Sequence, residues 1–203
     1  VLRPLLGGGP AGPVLSQGRI SLRPPQGRDF AAWAELRATS RAFLEPWEPS
    51  WPADALTRSA YRWRLRHYER DQREGWGYSF FILRQADKAL LGGISLSNLR
   101  RGVAQAGSLG YWIGAPHARQ GYMSEALFAL LDFSFGPLGL HRVEAACLPH
   151  NAASRRLLLK LGFEEEGLAR GYLRIAGRWQ DHVLYGLLAE DFGAKRRQLL
   201  ERT

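Results

Sequence analysis

Two short segments of this 203-residue chain concentrate the residue types that handle anionic ligands and acyl groups. The first runs Leu109-Gly110-Tyr111-Trp112-Ile113, turns through Gly114-Ala115-Pro116-His117-Ala118, and opens a helical pattern at Arg119-Gln120-Gly121-Tyr122-Met123-Ser124. A helix N-terminus presents free N–H groups and the positive end of the helix dipole, and a glycine there lets a phosphate approach the main chain. An ordinary strand–loop–helix connection with a cap has the same pattern, so both readings stand. The segment has neither the Walker pattern nor G-x-G-x-x-G, which argues against a nucleoside triphosphate or a dinucleotide. The second segment is Pro149-His150-Asn151-Ala152-Ala153-Ser154, followed by Leu161-Gly162-Phe163. Asn151 has the chemistry of a helix N-cap. Ser154 shares a helical face with Leu157, Leu158 and Leu161, so its hydroxyl points inward and needs a partner, either backbone or ligand.

The elements that must position these segments follow from periodicity and turn residues. Arg19 to Arg23 reads as a short strand, Asp29 caps a helix running to about Thr39, and Asp54 opens a second helix over about Ala55 to Arg73, with Leu56, Trp63 and His67 at helical spacing. Between them, Phe43-Leu44-Glu45-Pro46-Trp47-Glu48-Pro49-Ser50-Trp51-Pro52 reads as a loop because three prolines oppose regular helix. Strands are expected at Tyr78–Arg84, Ala89–Leu96, Ser108–Ile113, Arg142–Leu148, near Tyr172, and at Val183–Leu188. From Gly121 the period becomes 3.6, with Met123, Ala126, Leu127, Leu130 and Leu131 on one face. A short helix spans Asn151 to Leu161. The sum is one α+β domain, a mixed sheet of about seven strands flanked by helices. Residues 1–18 read as a loose lead-in, 19–192 as the domain, and 193–203 as a basic tail.

Composition narrows the partners. Lys plus Arg is 28 against 19 Asp plus Glu, a formal charge of +9, and only Lys88, Lys160 and Lys195 are lysines. Arginine stays charged and pairs two-toothed with phosphate and carboxylate, so polyanions or acidic ligands are favoured. A single cysteine, Cys147, excludes an internal disulfide framework and a Cys-rich metal site. The longest run without charge, Gly102 to Ala118, is too short and too glycine-rich for a membrane span, and Val1 to Pro13 is no signal-peptide core. A cytoplasmic protein, monomer or homodimer, without metal or membrane attachment, is expected.

Taken together, these blocks resemble the GNAT-fold acetyltransferases, and within them the RimJ/RimL group that acetylates the N-termini of ribosomal proteins. The acyl-CoA signature Q/R-x-x-G-x-G/A falls on Ala118-Arg119-Gln120-Gly121-Tyr122-Met123; Gly121 matches, while Ala118 and Met123 depart from it. Phe43 to Pro49 is similar to the acceptor-side loop of that group. Ser97 to Gly102, Asn151-x-x-Ser154, Leu161 to Gly167, and Gly177 to Val183 follow in the family's order, so the likeness covers about residues 19 to 190.

The resemblance implies a cosubstrate, acetyl-CoA, and a set of positions. Tyr111, Trp112 and Ile113 would offer a strand edge to the pantetheine arm, and an N–H near Ile113 would polarise the thioester carbonyl. Backbone N–H groups from Arg119 through Gln120, Gly121, Tyr122, Met123 and Ser124 would hold the pyrophosphate. Asn151 would contact the pantetheine, and Ser154 would protonate the departing thiolate, a modest task for a thiol of pKa about 8.5. Trp47, Glu48, Trp51, Tyr172 and His182 would border the acceptor. An α-amine, with pKa about 7.7–8.0, needs only a modest base. The position of the RimL-like general-base glutamate is Leu173 here, which cannot serve. Glu48 is the first alternative, and His182 or Asp181 the second; each also has a plain structural role to play. Cys147 reads as buried and inert, and His67, His117 and His141 as structural or surface residues.

The leading expectation is acetyl transfer to a protein N-terminal α-amine, with Ala or Ser first, on a ribosomal protein. A small-molecule amine, such as an antibiotic or polyamine, is the second acceptor class. A ribosome- or RNA-associated factor with secondary acetylation is the third, prompted by six arginines between Arg58 and Arg73 that otherwise read as a solvated helix face.

Overall fold

A computed structural model describes residues 12–200, and for Lys195 and residues 197–200 its backbone only. The proposed lead-in over Val1–Ala11 and the last residues of the tail, 201–203, lie outside the described residues. Eight strands form one sheet in the order β1-β2-β3-β4-β5-β6-β8-β7. They are β1 (Leu15–Gln17), β2 (Ile20–Arg23), β3 (Tyr78–Arg84), β4 (Leu90–Arg100), β5 (Ala106–Ile113), β6 (Arg142–Cys147), β7 (Glu164–Ile175) and β8 (Arg178–Leu188). The helices are α1 (Phe30–Thr39), α2 (Arg41–Leu44), α3 (Arg58–Glu74), α4 (Tyr122–Phe135), α5 (Ala152–Lys160) and α6 (Ala189–Leu200).

The α+β architecture matches the sequence reading, with one strand more than the seven expected. The extra strand, β1, lies inside the supposed lead-in: Leu15 pairs Leu22 and Gln17 pairs Ile20 across a turn at Gly18, whose φ of 51° suits glycine. Three residues are too few for an alternation pattern to register. The proline-rich stretch is also more helical than expected. Residues of α2 and a 3-10 turn at Glu45–Trp47 carry it as far as Trp47, because Pro46 falls at the start of that turn, where its missing N–H costs nothing. The second helix starts later than Asp54. Thr57 is its N-cap, with its hydroxyl accepting from the Ala60 N–H at 3.2 Å. Its buried face centres on Tyr61, while Trp63 is 57% exposed with the His67 ring tilted against it; the spacing of these two aromatics did not mark a core face.

Two apolar layers sandwich the sheet. On one side Ala126, Leu127, Leu130 and Leu131 of α4 are fully buried against Ile20, Leu22, Phe80, Ile82 and Val143. On the other, Trp33 and Leu36 of α1 and Tyr61 of α3 pack on Phe81, Leu83 and Leu90. Each such leucine or aromatic contributes about 1.5–3 kcal/mol on burial, which fixes α4 and α1 on opposite faces of the central strands.

The feature that shapes the site is a divergence. Strands β5 and β6 are the sole parallel neighbours among the described strands, and they pair only over Ala106–Arg142, Gly107–Val143 and Ser108–Glu144. Beyond Ser108, β5 stays paired to β4 as far as Ile113, while β6 turns to pair with β8 up to Cys147 and Val183. The edge of β5 from Leu109 to Ile113 is left without a strand partner on that side.

Candidate active site

A cavity of about 940 Å³ fills the gap between the diverging strands, bounded by β5 from Leu109 to Ile113, by Ala145–Leu148, and by the loop that enters α4. At that loop Arg119 (φ 61°) and Gly121 (φ 86°) both adopt left-handed backbone, and Gly121 is the N-cap of α4. The N–H groups of Arg119, Gln120, Gly121, Tyr122 and Met123 donate to no described residue. This concave run of free donors at a helix N-terminus fits a diphosphate. A residue the sequence did not flag holds it rigid. Arg19, in the β1–β2 turn, bonds Glu125 through its Nε (2.8 Å) and its own N–H (2.7 Å), and reaches the Gln120 carbonyl at 2.8 Å. The φ of Gly121 is what calls for glycine; a Cβ there would stand 3.2 Å from that guanidinium, a tight contact that a small shift of Arg19 would have to relieve. The Gln120 side chain braces the loop by donating to the Pro116 carbonyl (2.8 Å).

Deeper in the same cavity the Tyr111 and Ser154 hydroxyls stand 2.6 Å apart. The Ser154 position follows from α5: Asn151 caps the helix by accepting from the Ser154 N–H at 3.1 Å, and Leu158 and Leu161 anchor the inward face. Burial raises the Tyr111 hydroxyl above its ordinary range, partly opposed by the bond to Ser154, so it remains protonated at working pH. Cys147 lines the cavity beside them, and burial likewise pushes its thiol up. Arg155 is used structurally, on Tyr185 (2.9 Å), Glu165 (3.0 Å) and the Pro149 carbonyl (3.1 Å). Arg156 and Lys160 line the cavity instead.

A second cavity, of about 460 Å³, lies under the Pro49–Pro52 loop and along α3. It shares Glu48, Gly110, Tyr111 and Trp112 with the first, so the two spaces meet at β5. Its walls are Trp33, Trp51, Phe81 and Trp112, with Arg64 and Tyr68 of α3 on the far side.

A bipartite space of this kind, with a diphosphate cradle in one half and an aromatic chamber in the other, meeting at an exposed strand edge, suits transfer between a nucleotide-bearing donor and a second substrate. Residues 19–164 match the model of the acetyltransferase (GNAT) domain. The chain belongs to the GNAT acetyltransferase family. It is 36% identical over 178 residues to the [ribosomal protein uS5]-alanine N-acetyltransferase of Escherichia coli, covering 88% of this chain and 92% of that one. It is 34% identical to the probable N-acetyltransferase YjcK of Bacillus subtilis, over 85% of this chain and 95% of the other. Among solved structures, RimJ of Mycobacterium smegmatis in complex with CoA-disulfide superposes with a TM-score of 0.84 at 32% identity, covering 94% and 93% of the two chains. The chain is therefore an acetyl-CoA-dependent N-acetyltransferase, and the 940 Å³ cavity, with its free donors and open strand edge, fits the CoA thioester.

In this GNAT frame the residues singled out from sequence fall into three groups. Tyr111, Trp112, Ile113, Arg119, Gly121, Tyr122, Met123, Ser124, Asn151 and Ser154 all line the larger cavity, together with Trp47, Glu48 and His182. Trp51 lines the smaller one. Tyr172 and Gln120 line neither: Gln120 is turned to the Pro116 carbonyl, and Tyr172 is half exposed, its ring centroid 5.8 Å from that of His182. The Trp47 ring lies tilted against that of His150, centroids 5.5 Å apart.

The candidate bases differ sharply in surroundings. Glu48 is held by both guanidinium nitrogens of Arg37 (2.7 and 2.6 Å) and accepts from the Trp51 indole (2.9 Å). Arg37 in turn lies over the Trp51 ring (4.1 Å) and near the Trp112 ring (4.9 Å). Asp181 accepts from the Gly171 N–H (2.7 Å), closing a bulge in the β7–β8 hairpin. His182 is buried, and its Nδ1 lies 3.0 Å from the Gln180 carbonyl. A carbonyl only accepts, so Nδ1 is the donor, and in the neutral tautomer of this geometry Nε2 is the acceptor nitrogen. Leu173, where the sequence resemblance would put a RimL-like glutamate, lines the cavity together with His182. His117, read as structural or surface, lines it too; burial and the nearby Arg84 lower its pKa and favour the neutral ring.

Sequence reasoning misses Arg19, Arg37 and Tyr68, and reads Arg64 only as part of the arginine-rich helix face. Arg19 acts through Glu125 and Arg37 through Glu48, separations that no local spacing marks, while Arg64 and Tyr68, an i,i+4 pair, gain their place only from the chamber that packs beside them. No helix among the described residues is long and apolar enough to cross a membrane.

Proposed function

We propose that this enzyme acetylates the N-terminal α-amine of a protein, a ribosomal protein beginning with Ala or Ser, by direct attack of the amine on the thioester of acetyl-CoA. The observation that carries the reading is the junction of the two cavities at Gly110, Tyr111 and Trp112. A peptide end entering the aromatic chamber would meet the thioester there, while the rest of the chain leaves along α3. Similarity to the E. coli enzyme that acts on ribosomal protein uS5 supports the acceptor class, and a cytoplasmic site of action goes with that reading. A cationic small amine such as a polyamine suits the chamber poorly. Its one carboxylate, Glu48, is already paired to Arg37, and Arg64 adds a further positive charge.

In this mechanism the amine lone pair forms the new C–N bond as the C–S bond breaks. The Nε2 of His182, directly or through one water, takes the amine proton. The hydroxyl pair of Ser154 and Tyr111 delivers a proton to the thiolate, and solvent restores both groups. Free N–H groups from Arg119 to Met123 fix the diphosphate, and the Leu109–Ile113 edge aligns the pantetheine. Positioning of this kind supplies most of the acceleration when the nucleophile and leaving group are both competent. Glu48 serves as a positioning residue, holding the Trp51 roof directly at the indole N–H and through Arg37. Its backbone carbonyl also accepts from the Ala176 N–H (3.0 Å) at the β7–β8 turn, so the roof is tied on two sides.

A panel of short peptides tests this. Ala- and Ser-initiated peptides should release CoA, and the same peptides with blocked N-termini should not, even when they contain lysine. Turnover of polyamines with none of any peptide would overturn the proposal.

A further inference from the structure

The outer face of α3 has no part in either cavity and carries an unusual load. Arg62, Arg66, Arg70 and Arg73, spaced i, i+4, i+8 and i+11, form one exposed stripe about 16 Å long at the helical rise, with Glu69 as the carboxylate on the same face. Arg62 and Arg66 have no described carboxylate within 4.0 Å. Arg70 and Arg73 have only loose contacts to their sequence neighbours, Asp71 at 3.5 Å and Glu74 at 4.0 Å. Exposed pairs of that kind are worth little and are readily exchanged for another anion. Beside the stripe Trp63 is 57% exposed, and its indole lies 3.6 Å from the His67 ring, whose Nδ1 donates to the Trp63 carbonyl at 2.9 Å. A bulky indole held in one orientation in solvent, three and seven residues from Arg66 and Arg70, gains nothing for the fold.

We infer that this face of α3 docks RNA, with the arginine stripe on successive phosphates and Trp63 stacked on an unpaired base. Guanidinium groups match phosphate geometry, and an aromatic face beside them is how single-stranded segments are held without sequence preference. The opposite side of α3 is committed inward: Tyr61 is buried on Trp33 and Phe30, so the helix has no apolar face to lay into a lipid surface. An acidic polypeptide would use the arginines but not the indole. Arg64 and Tyr68, on the side away from the stripe, line the acceptor chamber. RNA bound outside would thus lie one helix diameter from the entering N-terminus. Resting on the acceptor reading above, the inference names the substrate as a protein presented on RNA.

The test measures binding of a labelled single-stranded RNA of about 20 nucleotides, longer than the site sizes of about 4–16 usual for one binding surface, at several salt concentrations. Wild-type protein should show log K falling against log salt with a slope of about −0.7 per phosphate, near −3 for four contacts. Arg62→Ala/Arg66→Ala/Arg70→Ala should flatten that slope by about 2, and Trp63→Ala should weaken binding about tenfold at constant slope. Acetylation of short Ala-initiated peptides should be unchanged in both variants, which shows that they fold and separates this outcome from failure of the acceptor assignment. Equal RNA binding by wild type and the triple variant would overturn the inference. So would a Trp63→Ala variant that binds RNA as wild type does, or displacement of RNA by polyglutamate at equal charge concentration.

Discussion

The hydroxyls of Tyr111 and Ser154 stand 2.6 Å apart, one from the unpaired edge of a central strand and the other from the first turn of α5. Neither helix nor strand alone could bring these two hydroxyls together. They meet because β5 and β6 separate after Ser108 and α5 closes the gap.

Ser154→Ala should lower kcat by about 10²–10⁴, the range for loss of a positioned acid, with the Kd for CoA within about threefold. Tyr111→Phe should have a smaller effect of the same kind. The double variant should be no worse than Ser154→Ala, since contacting residues that act as a unit are not additive. Steady-state rates and calorimetric CoA binding check this; a double variant showing the product of the two single effects would argue that the hydroxyls act separately.

Removing the imidazole should act on the other side of the reaction. His182→Gln keeps a polar side chain of similar reach but cannot take a proton at working pH, and it should lower kcat by about 10²-fold. The loss should shrink as pH rises past the α-amine range of about 8, where the acceptor is already neutral. A pH–rate profile of kcat/KM for both proteins measures it.

Arg19 should matter for CoA and for nothing else. Arg19→Ala frees Glu125 and the Gln120 carbonyl and lets the α4 entry loop move, so the KM for acetyl-CoA should rise about tenfold while kcat changes little. Initial rates at saturating peptide separate the two quantities.

The Arg37–Glu48 pair is mostly buried, with 12% and 20% of the two side chains exposed. Arg37→Ala strands the carboxylate and should destabilise the fold by about 3 kcal/mol, with loss of the Trp51 roof raising the KM for peptide. Arg37→Lys should recover little of either, because one ammonium cannot make two parallel bonds. Denaturant melts and peptide titrations read the two effects.

Burial raises the Cys147 thiol, so at pH 7–8 it should react with a thiol reagent more slowly than a free cysteine, and the rate should climb as pH rises toward its raised pKa. Ser154 pulls the other way by hydrogen bonding, so Ser154→Ala should slow the reaction further. Timed labelling across pH, with and without CoA, records this.

Much of the fold was legible because its longest elements obey clean periods. The α4 face from Met123 to Leu131 and the cap at Asn151 could be read from sequence alone, and the glycine of the α4 entry loop was visible as well. What escaped was whatever depends on two distant pieces. Strand β1 is three residues long and is specified by its partner β2. The Thr57 cap competes with Asp54 within one turn, and only tertiary packing chooses. Trp63 and His67 keep helical spacing yet face solvent, because spacing alone does not say which face is covered. At the site the identity of the base depended on burial and partners: Glu48 looked available until Arg37 and Trp51 appeared beside it, and Arg37 has no local signature.

The central claim, transfer to a protein α-amine, is tested most directly by incubating the enzyme with acetyl-CoA and an Ala-initiated peptide that also contains an internal lysine, then locating the acetyl group by fragmentation mass spectrometry. A single acetyl on the N-terminal nitrogen, abolished by prior N-terminal blocking and slowed in Ser154→Ala, is the predicted result. Acetyl on the lysine side chain, or an unmodified peptide alongside CoA release on a small amine, would contradict it.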